Sequence, residues 1–503
     1  MNPRTMLEAG AGLLLCAVGF FLAHRESYDV HTVLATAAGC RMATDIYEPR
    51  SGTLAGSVVL FHGLAANKKV MAFNAQEFAN QDLRVFVPDL PGHGRTPGPY
   101  SADRADSCAL TLVRDLAARK AIIPERTILA GHSLGGAIAI RAAAQFPVAG
   151  VIALSPAPMQ TAPGFSPEMI PFHNVPAFPP HSLVLTGQWE PGSIKAMAQQ
   201  LVSSFPDSSS KYRMIAHTSH VSILFSSETF SEIRSWTSEL LGTDRAAASP
   251  KNLPALACLL GLAGLSLLAP PFMREMNSSA PQPDSDAATP IPRFFPGLGI
   301  IGVASLAAVL LLASTFIPFH FIHVFQGDYL GVFLFLTGAG ALAGRSKLFP
   351  SRKALLDAPL APAIASALVL VLLFAAWFEI TFYEAWLTPA RWLRFPVLFV
   401  LVLPWQFTEE LFLGDCKKSP CLGRLATALA FRAVTFLPLL LGILVLHSGE
   451  ILLFLLLAYF VVFSVLQRLA CDLVRFATRG PAPAAIFGAI LLAAFALAIF
   501  PVA

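Results

Sequence analysis

The most informative stretch of the sequence is Thr127-Ile-Leu-Ala-Gly-His-Ser-Leu-Gly-Gly136, which is followed by the alanine-rich run Ala137-Ile-Ala-Ile-Arg-Ala-Ala-Ala144. Its opening residues read as a buried strand, and the alanine-rich run reads as a helix. Between them lies Gly131-x-Ser133-x-Gly135, whose glycines allow a sharp backbone turn and keep neighbouring side chains away. The pattern predicts that Ser133 is presented at the end of a strand and the N-terminus of a helix.

Apolar runs on both sides of this stretch have the length and composition of buried strands. They are Ser57–Phe61, Leu83–Asp89, Val148–Leu154, Ser182–Thr186 and Lys211–Ala216. Helical stretches separate these runs, and alternation of strands with helices predicts a mostly parallel sheet. We therefore expect one α/β domain over residues 28–242.

Four motifs of this domain together resemble the α/β-hydrolase superfamily, especially its esterase, lipase and monoglyceride-lipase-like members. They are the Gly131–Gly136 turn, His62-Gly63 after a strand, Asp89-x-Pro-Gly-His-Gly94, and a late acid followed by a late histidine. The resemblance covers about 215 of the 503 residues. It implies an α/β-hydrolase fold and a serine hydrolase, with Ser133 as the nucleophile.

The acid of the implied triad falls on Glu190. After strand 182–186 the chain runs Gly187-Gln-Trp-Glu190, where many relatives have Gly-x-x-Asp. A glutamate can orient a histidine as an aspartate does. Asp207, just before the last strand, is the alternative acid.

Two histidines, His217 and His220, compete for the role of general base. In the resembled family the catalytic histidine lies after the last strand and directly before the last helix. His220 directly precedes the apolar run that leads into 227–241, so it is the preferred base. His217 at the strand end is interpreted as a hydrogen-bonded structural residue, and His62, His93 and His132 as backbone-supporting or rim residues.

The resemblance also implies an oxyanion hole, formed by the backbone N–H groups of Leu64 and Leu134. A serine is a weak nucleophile until an adjacent base removes its proton, and the reaction passes through an acyl-enzyme that water cleaves. This chemistry requires neither a metal ion nor an organic cofactor, so we expect none.

The composition separates the chain into two unlike parts. Apolar residues make up 55% of the chain and charged residues 13%, with a mean hydropathy of +0.62, which excludes a disordered or a wholly soluble protein. The net charge of +4 is too small to suggest nucleic-acid binding. Residues 251–503 contain 16 basic and 12 acidic residues in short stretches between long apolar runs, which is typical of a multi-span membrane domain.

Nine membrane spans are predicted. The first is an N-terminal anchor or uncleaved signal within 1–27, and about eight helices follow within 243–503. The latter are 252–271, 295–318, 328–344, 360–388, 395–413, 425–446, 450–467 and 483–502; 328–344 and 450–467 are the weakest because they are short.

The loops between these spans predict the orientation. Alternate loops carry 12 and 2 basic residues, and the richer side is expected in the cytoplasm. This assignment places the hydrolase domain outside the cytoplasm of an integral cell-membrane protein. Pairing of Cys40 with Cys108 in that domain is compatible with the sequence but unsupported by it.

Ionisable residues inside the apolar half are functional candidates. We expect Arg432 to pair with Glu409 or Glu410 between adjacent spans. His320, His323, Asp328, Glu379 and Glu384 could gather near the outer surface, which is a weak hint of a metal or proton site.

The expected substrate class depends on the role of the apolar, Pro-rich connection 155–181. Its side chains either form an apolar wall at the pocket mouth, which suits a lipid or acyl ester, or only cover the core. The leading prediction is therefore a membrane-bound carboxylic-ester hydrolase that meets small-molecule or lipid esters and membrane lipids. The alternatives are a serine aminopeptidase or amide hydrolase, an acyltransferase, and a transporter or sensor with a non-catalytic hydrolase-like domain.

Overall fold

The computed structural model describes most of the chain. The described ranges are 3–159, 169, 181–203, 210–243, 246–276, 294–314, 320–344, 360–414, 422–446, 450–478 and 480–503. Most of the predicted 155–181 wall, and the alternative acid Asp207, lie outside the described residues.

An eight-stranded, mostly parallel sheet forms the core of the first half. The strands are β1 (Val30–Ala37), β2 (Cys40–Tyr47), β3 (Gly56–Phe61), β4 (Leu83–Pro88), β5 (Thr127–His132), β6 (Gly150–Leu154), β7 (Ser182–Gly187) and β8 (Lys211–Ile215). Their spatial order is β1-β2-β4-β3-β5-β6-β7-β8. All pairs from β4 to β8 are parallel, whereas β1–β2 and β2–β4 are antiparallel. The predicted α/β-hydrolase fold class is confirmed.

The sequence reading did not identify β1 and β2. Both are joined by the turn Ala38-Gly39, in which Ala38 has φ 44° and Gly39 has φ 82°. A disulfide between Cys40 and Cys108 ties β2 to the helix Ala102–Ala118. Strand β1 is the exposed edge of the sheet, and the buried stretch of β2 includes the polar residues Thr44 and Asp45, so neither strand has a strong apolar pattern.

The chain begins with the helix α1 (Pro3–Ala23), which precedes the sheet. The helices between and after the strands are α2 (Ala72–Ala79), α3 (Ala102–Ala118), α4 (Leu134–Gln145), α5 (Gly192–Ser203) and α6 (Ser227–Leu241). Strands β3 and β5 are completely buried, as expected for central strands covered on both faces. The apolar core joins these strands with α2 and α6.

The remaining described elements are helices. They are α7 (Pro254–Met276), α8 (Phe294–Ala313), α9 (Gly327–Ala343), α10 (Ala361–Thr381), α11 (Pro389–Leu413), α12 (Leu422–Leu446), α13 (Ile451–Leu455), α14 (Leu457–Thr478) and α15 (Pro481–Ile499). Helix α11 packs against α9 and α15, and α8 packs against α9 and α12.

Seven helices among the described residues are long and apolar enough to cross a membrane. They correspond to seven of the nine predicted spans. The other two are the pair with the weakest signal. The predicted span 328–344 is the 17-residue helix α9, and 450–467 is divided between the short α13 and the charge-bearing α14.

The chain forms two compact units. One contains residues 1–19, 259–377 and 386–500; the other contains residues 20–258, 378–385 and 501–503. The unit with the sheet therefore includes two short segments from late in the sequence. One of them pairs through Val502, whose N–H donates to the Gly92 carbonyl at 3.0 Å and whose carbonyl accepts from the Tyr100 N–H at 2.6 Å.

Candidate active site

Ser133 lies at the junction of β5 and α4, as the glycine pattern predicts. Its backbone has φ 53°, in the left-handed region that non-glycine residues rarely adopt. A Cβ at Gly131 would lie 2.2 Å from the Gly135 carbonyl oxygen, and a Cβ at Gly135 would lie 2.3 Å from the Phe61 carbonyl oxygen. Both glycines are therefore required by close backbone contacts, which hold the turn in a strained conformation.

Glu190 lies in the turn after β7 with its side chain fully buried. Its Oε1 accepts hydrogen bonds from the Ser155 hydroxyl and from the Gly187 N–H, the latter at 2.9 Å. Burial by itself raises the pKa of this carboxyl, but His220 and the two hydrogen bonds outweigh it, so the pKa lies below its usual value. The group is therefore an anion at neutral pH.

Of the two candidate histidines, His220 is beside this carboxylate. Its Nδ1 lies 3.7 Å from Glu190 Oε2, slightly longer than a hydrogen bond. His217 is held elsewhere: its N–H donates to Gln188 Oε1 at 2.9 Å, and its ring lies 6.3 Å from that of Trp189.

His132 connects the serine turn with the histidine loop. Its Nε2 lies 2.7 Å from the His220 carbonyl oxygen, and the two rings are 4.8 Å apart. Burial, assisted by His220, lowers the pKa of His132 to about 3, so its ring is neutral and Nε2 can donate to this carbonyl. The interpretation of His132 as a residue that supports the backbone agrees with these contacts.

The loop after β3, residues 62–68, lies against the serine turn. A Cβ at Gly63 would be 3.2 Å from Ser133 Cβ and 3.0 Å from His132 Nδ1. This proximity places Leu64 next to the nucleophile candidate, while Leu134 is the first residue of α4. The first N–H groups of a helix have no acceptor within that helix, so the Leu134 N–H is suited to bind an anion.

Two buried histidines hold the 62–68 loop against the turn after β4. The Leu90 N–H donates to His62 Nε2 at 2.9 Å, and the Ala65 N–H donates to His93 Nε2 at 3.3 Å. Burial lowers the pKa of His62 to about 4, which keeps its ring neutral and able to accept. The turn contributes Asp89, whose Oδ1 accepts from the Lys68 N–H at 2.8 Å.

Two of the five ionisable residues that were expected to gather, Glu379 and Glu384, instead form ion pairs with basic residues. Glu379 pairs with Arg95, and Glu384 pairs with Lys68 and lies 3.5 Å from Arg95 Nε. Within the described ranges, no three His, Cys, Asp or Glu side chains are grouped so that they could hold a metal ion.

The family assignment agrees with this architecture. Residues 58–284 match the model of the "Alpha/beta hydrolase family", and this part of the chain belongs to that family. Lipase 3 of Moraxella sp. (strain TA144) is 32% identical over 115 residues, which cover 23% of this chain and 34% of that lipase.

Two other comparisons concern esterases. The pimeloyl-[acyl-carrier protein] methyl ester esterase of Edwardsiella ictaluri (strain 93-146) is 35% identical over 109 residues, covering 21% of this chain and 38% of that enzyme. The structure of a Pyrobaculum calidifontis esterase is 17% identical, covers 48% of this chain and 94% of the esterase, and has a TM-score of 0.37. The chain spans between 28% and 38% of the length of the curated relatives it matches.

Proposed function

We propose that this protein is a membrane-bound serine hydrolase that cleaves carboxylic esters, with Ser133, His220 and Glu190 as its triad. The observation that carries the proposal is the strained backbone of Ser133, at φ 53°, between β5 and α4. Since such strain persists only where the surrounding structure enforces it, a reactive side chain is the natural explanation. Similarity to Lipase 3 and to the methyl ester esterase favours an ester as the substrate.

In this mechanism His220 removes the proton from Ser133 Oγ as the oxygen attacks the ester carbonyl. Glu190 is positioned to hold the imidazole in one orientation and to stabilise its charged form. Its anionic state, its burial and its 3.7 Å separation from His220 Nδ1 support this role.

The negative charge of the tetrahedral intermediate would be stabilised by the N–H groups of Leu64 and Leu134. Each such donor contributes roughly 3 kcal/mol to transition-state stabilisation. His220 then protonates the departing alcohol, and water attacks the acyl-Ser133 ester by the same route in reverse. The acid product leaves and the enzyme is regenerated.

Labelling with a fluorophosphonate tests the nucleophile. The wild type should be labelled, Ser133→Ala should not, and the exposed helical variant Ser107→Ala serves as the matched control. An unlabelled but folded wild type would refute the proposal. Following the acyl group of a model ester to water or to an added alcohol then distinguishes a hydrolase from an acyltransferase.

Replacement of each histidine separately tests the base. His220→Ala should reduce ester hydrolysis by at least about a thousandfold, as loss of a triad member does. His217→Ala should leave the rate within a factor of a few, since this ring lies against Trp189. The opposite result would transfer the role of base to His217.

We also propose that the hydrolase domain lies outside the cytoplasm. The Cys40–Cys108 disulfide supports this location, because disulfides persist in oxidising compartments. The imbalance of basic residues between alternate loops points in the same direction. Protease added to cells whose cytoplasmic membrane is intact, but which the protease can otherwise enter, should cut the domain. Complete protection of the domain in the same cells would contradict the proposed orientation.

A further inference from the structure

The segment Phe378–Ala385 joins two long apolar helices, α10 and α11, yet it belongs to the compact unit that contains the sheet. Helix α10 ends at Thr381, and the following residues are not helical. Phe382 and Tyr383 pack against the apolar core of the hydrolase sheet. This placement is unexpected, because the sequence pattern assigns 360–388 to a single membrane span.

The segment contacts the 62–68 loop at three residues. The Tyr383 hydroxyl donates to the Ala65 carbonyl at 2.9 Å. The Asn67 side-chain amide donates to the Glu384 carbonyl at 3.4 Å, and the Lys68 ammonium donates to the Glu384 carboxylate. Since this is the loop that carries Gly63 and Leu64, the segment contacts the loop proposed to form half of the oxyanion hole.

The same segment also contacts the element that follows His220. The Phe382 ring lies 5.8 Å from that of Phe225. Phe225 ends a one-turn 3-10 helix, Ser222–Phe225, two residues after His220. The segment therefore touches both the predicted oxyanion loop and the element beside the predicted base.

The 62–68 loop needs such support because its backbone is strained. Ala65 has φ 59°, a left-handed conformation that is unfavourable for alanine. Its N–H is held by His93 at 3.3 Å, from within the hydrolase fold, and its carbonyl is held by Tyr383. The Lys68 ammonium is 1% exposed and requires both of its carboxylate partners, Asp89 at 3.1 Å and Glu384.

We propose that Tyr383 and Glu384 are positioning residues, which fix the Leu64 N–H for catalysis by holding Ala65 and Lys68 from the linker between α10 and α11. This inference rests on the proposed serine hydrolase function. It assigns to a segment of the membrane half a part in the chemistry of the hydrolase half.

The role predicts a specific kinetic signature. A misdirected oxyanion donor weakens binding of the transition state and leaves binding of the ester ground state nearly unchanged. Loss of a support should therefore lower kcat with little effect on KM. Reaction with a fluorophosphonate should slow in parallel, because it develops charge on an oxygen at the same place.

The first test uses the full-length protein in detergent, with Tyr383→Phe as the variant. This change removes one oxygen atom and keeps the packed ring, so the variant should fold. We expect kcat for a model ester, and the rate of fluorophosphonate labelling, to fall between about tenfold and a hundredfold, as displacements of about 1 Å can do. Tyr28→Phe is the matched control, because its hydroxyl donates to Glu26 at 2.8 Å, outside the loop.

A second variant, Glu384→Ala, removes the partner of Lys68, with Glu239→Ala at an exposed ion pair as its control. It should reduce kcat in the same way. Unchanged kcat and labelling rate in folded Tyr383→Phe would overturn the inference, as would a rise in KM at constant kcat. A folded wild type that is not labelled at all would instead refute the proposed function, so the two failures are distinguishable.

Discussion

Among the residues that the structure describes, two buried clusters of charged side chains stand out, one in each compact unit, and they differ in the balance of their charges. The helical network in the membrane half consists of Glu409, Glu410, Arg424, Arg432, Arg468 and Asp472. It contains as many carboxylates as guanidinium groups, and each carboxylate lies within 3.3 Å of a guanidinium nitrogen. The expected Glu–Arg pair between adjacent spans is present, and its glutamate is Glu409, whose Oε1 lies 2.6 Å from the Arg432 Nε.

The loop cluster of the hydrolase unit is not balanced in this way. Lys68 lies between two carboxylates, Asp89 and Glu384, while Arg95 is half-exposed. A Cβ at Gly94 would meet Asp89 Oδ2 and Glu384 Oε2 at 2.4 Å each, so these two oxygens face the same point. Burial, followed by the charge of Asp89, raises the pKa of Glu384 to about 7.

The difference indicates what each cluster can do. Removal of one member of a neutral, fully paired network leaves an uncompensated charge in a buried site, so that network is suited to hold helices together. Because the pKa of Glu384 is raised to about 7, this carboxyl can take up a proton near neutral pH, so the loop cluster can adapt to the loss of a charge. Four changes test this distinction.

The largest effect is expected from Arg468→Met. Arg468 is completely buried and contacts Glu409, Glu410 and Asp472, so its loss should reduce the free energy of unfolding by about 3–5 kcal/mol. The thermal midpoint in detergent measures the change. Arg119→Met, at an exposed pair with Asp115, is the control, and an equal midpoint for the two variants would contradict the structural role of the network.

The second prediction concerns pH and Glu384→Gln, which mimics the protonated carboxyl. The folded-state pKa of Glu384, about 7, lies above the ordinary glutamate pKa of 4.5. Its contribution to stability is therefore complete below pH 4.5 and is lost as the pH rises through 7. The free energy of unfolding of Glu384→Gln relative to the wild type should increase as the pH rises from 5 to 8, by up to about 3 kcal/mol.

Thermal midpoints of both proteins across this pH range measure that difference. The comparison cancels the opposite effect of His62 and His132, whose lowered pKa values remove stability as the pH falls. A difference that stays constant between pH 5 and pH 8 would show that Glu384 does not titrate there.

A smaller loss of stability, about 1–2 kcal/mol, is expected from Lys68→Met. Asp89 keeps two backbone N–H donors, those of residue 68 and Arg95, and Glu384 can take up a proton. Ester hydrolysis should nevertheless decrease, since the 62–68 loop loses an anchor. If Lys68→Met destabilised the protein as much as Arg468→Met, the distinction between the clusters would fail.

The smallest effect is expected from Arg432→Lys, at about 1 kcal/mol. The guanidinium binds both oxygens of Glu409, at 2.6 and 2.9 Å, and lysine keeps the charge but not this paired geometry. Thermal unfolding of Arg432→Lys beside Arg432→Met separates geometry from charge. Equal losses in the two variants would mean that charge contributes nothing.

The predictions that rest on local backbone chemistry agree well with the structure. The turn at Gly131-x-Ser133-x-Gly135 was predictable from its glycines. A Cβ at Gly131 or Gly135 would lie only 2.2 or 2.3 Å from a backbone oxygen, so no other residue fits. The buried strands were visible as apolar runs. The antiparallel strands β1 and β2 were missed. The exposed edge strand β1 buries too little apolar surface to show a clear pattern, and the buried stretch of β2 includes the polar residues Thr44 and Asp45.

In the half with the apolar helices, residues 251–503, the sequence predicted the helices but not most of the contacts of their charged residues. Seven predicted spans were recognisable from hydropathy alone. Arg424 and Arg468 lie inside helices and pair with buried carboxylates, although the predicted orientation treats both as loop residues. Charge counts cannot tell a loop cation from one that is neutralised inside a helix bundle, so the orientation stays a prediction.

The α/β-hydrolase fold class, the strand–turn–helix around Ser133 and the apolar helices follow from the amino-acid sequence alone, because glycine spacing and hydropathy act over a few residues. The meeting of distant groups depends on the packing of the folded chain: Glu190 lies beside His220, Arg468 contacts three carboxylates, and Tyr383 binds Ala65. Tyr383 and Ala65 are separated by 318 positions. A hydrogen bond over such a separation leaves no periodic trace in the sequence, because it depends on how the whole chain packs rather than on its neighbours.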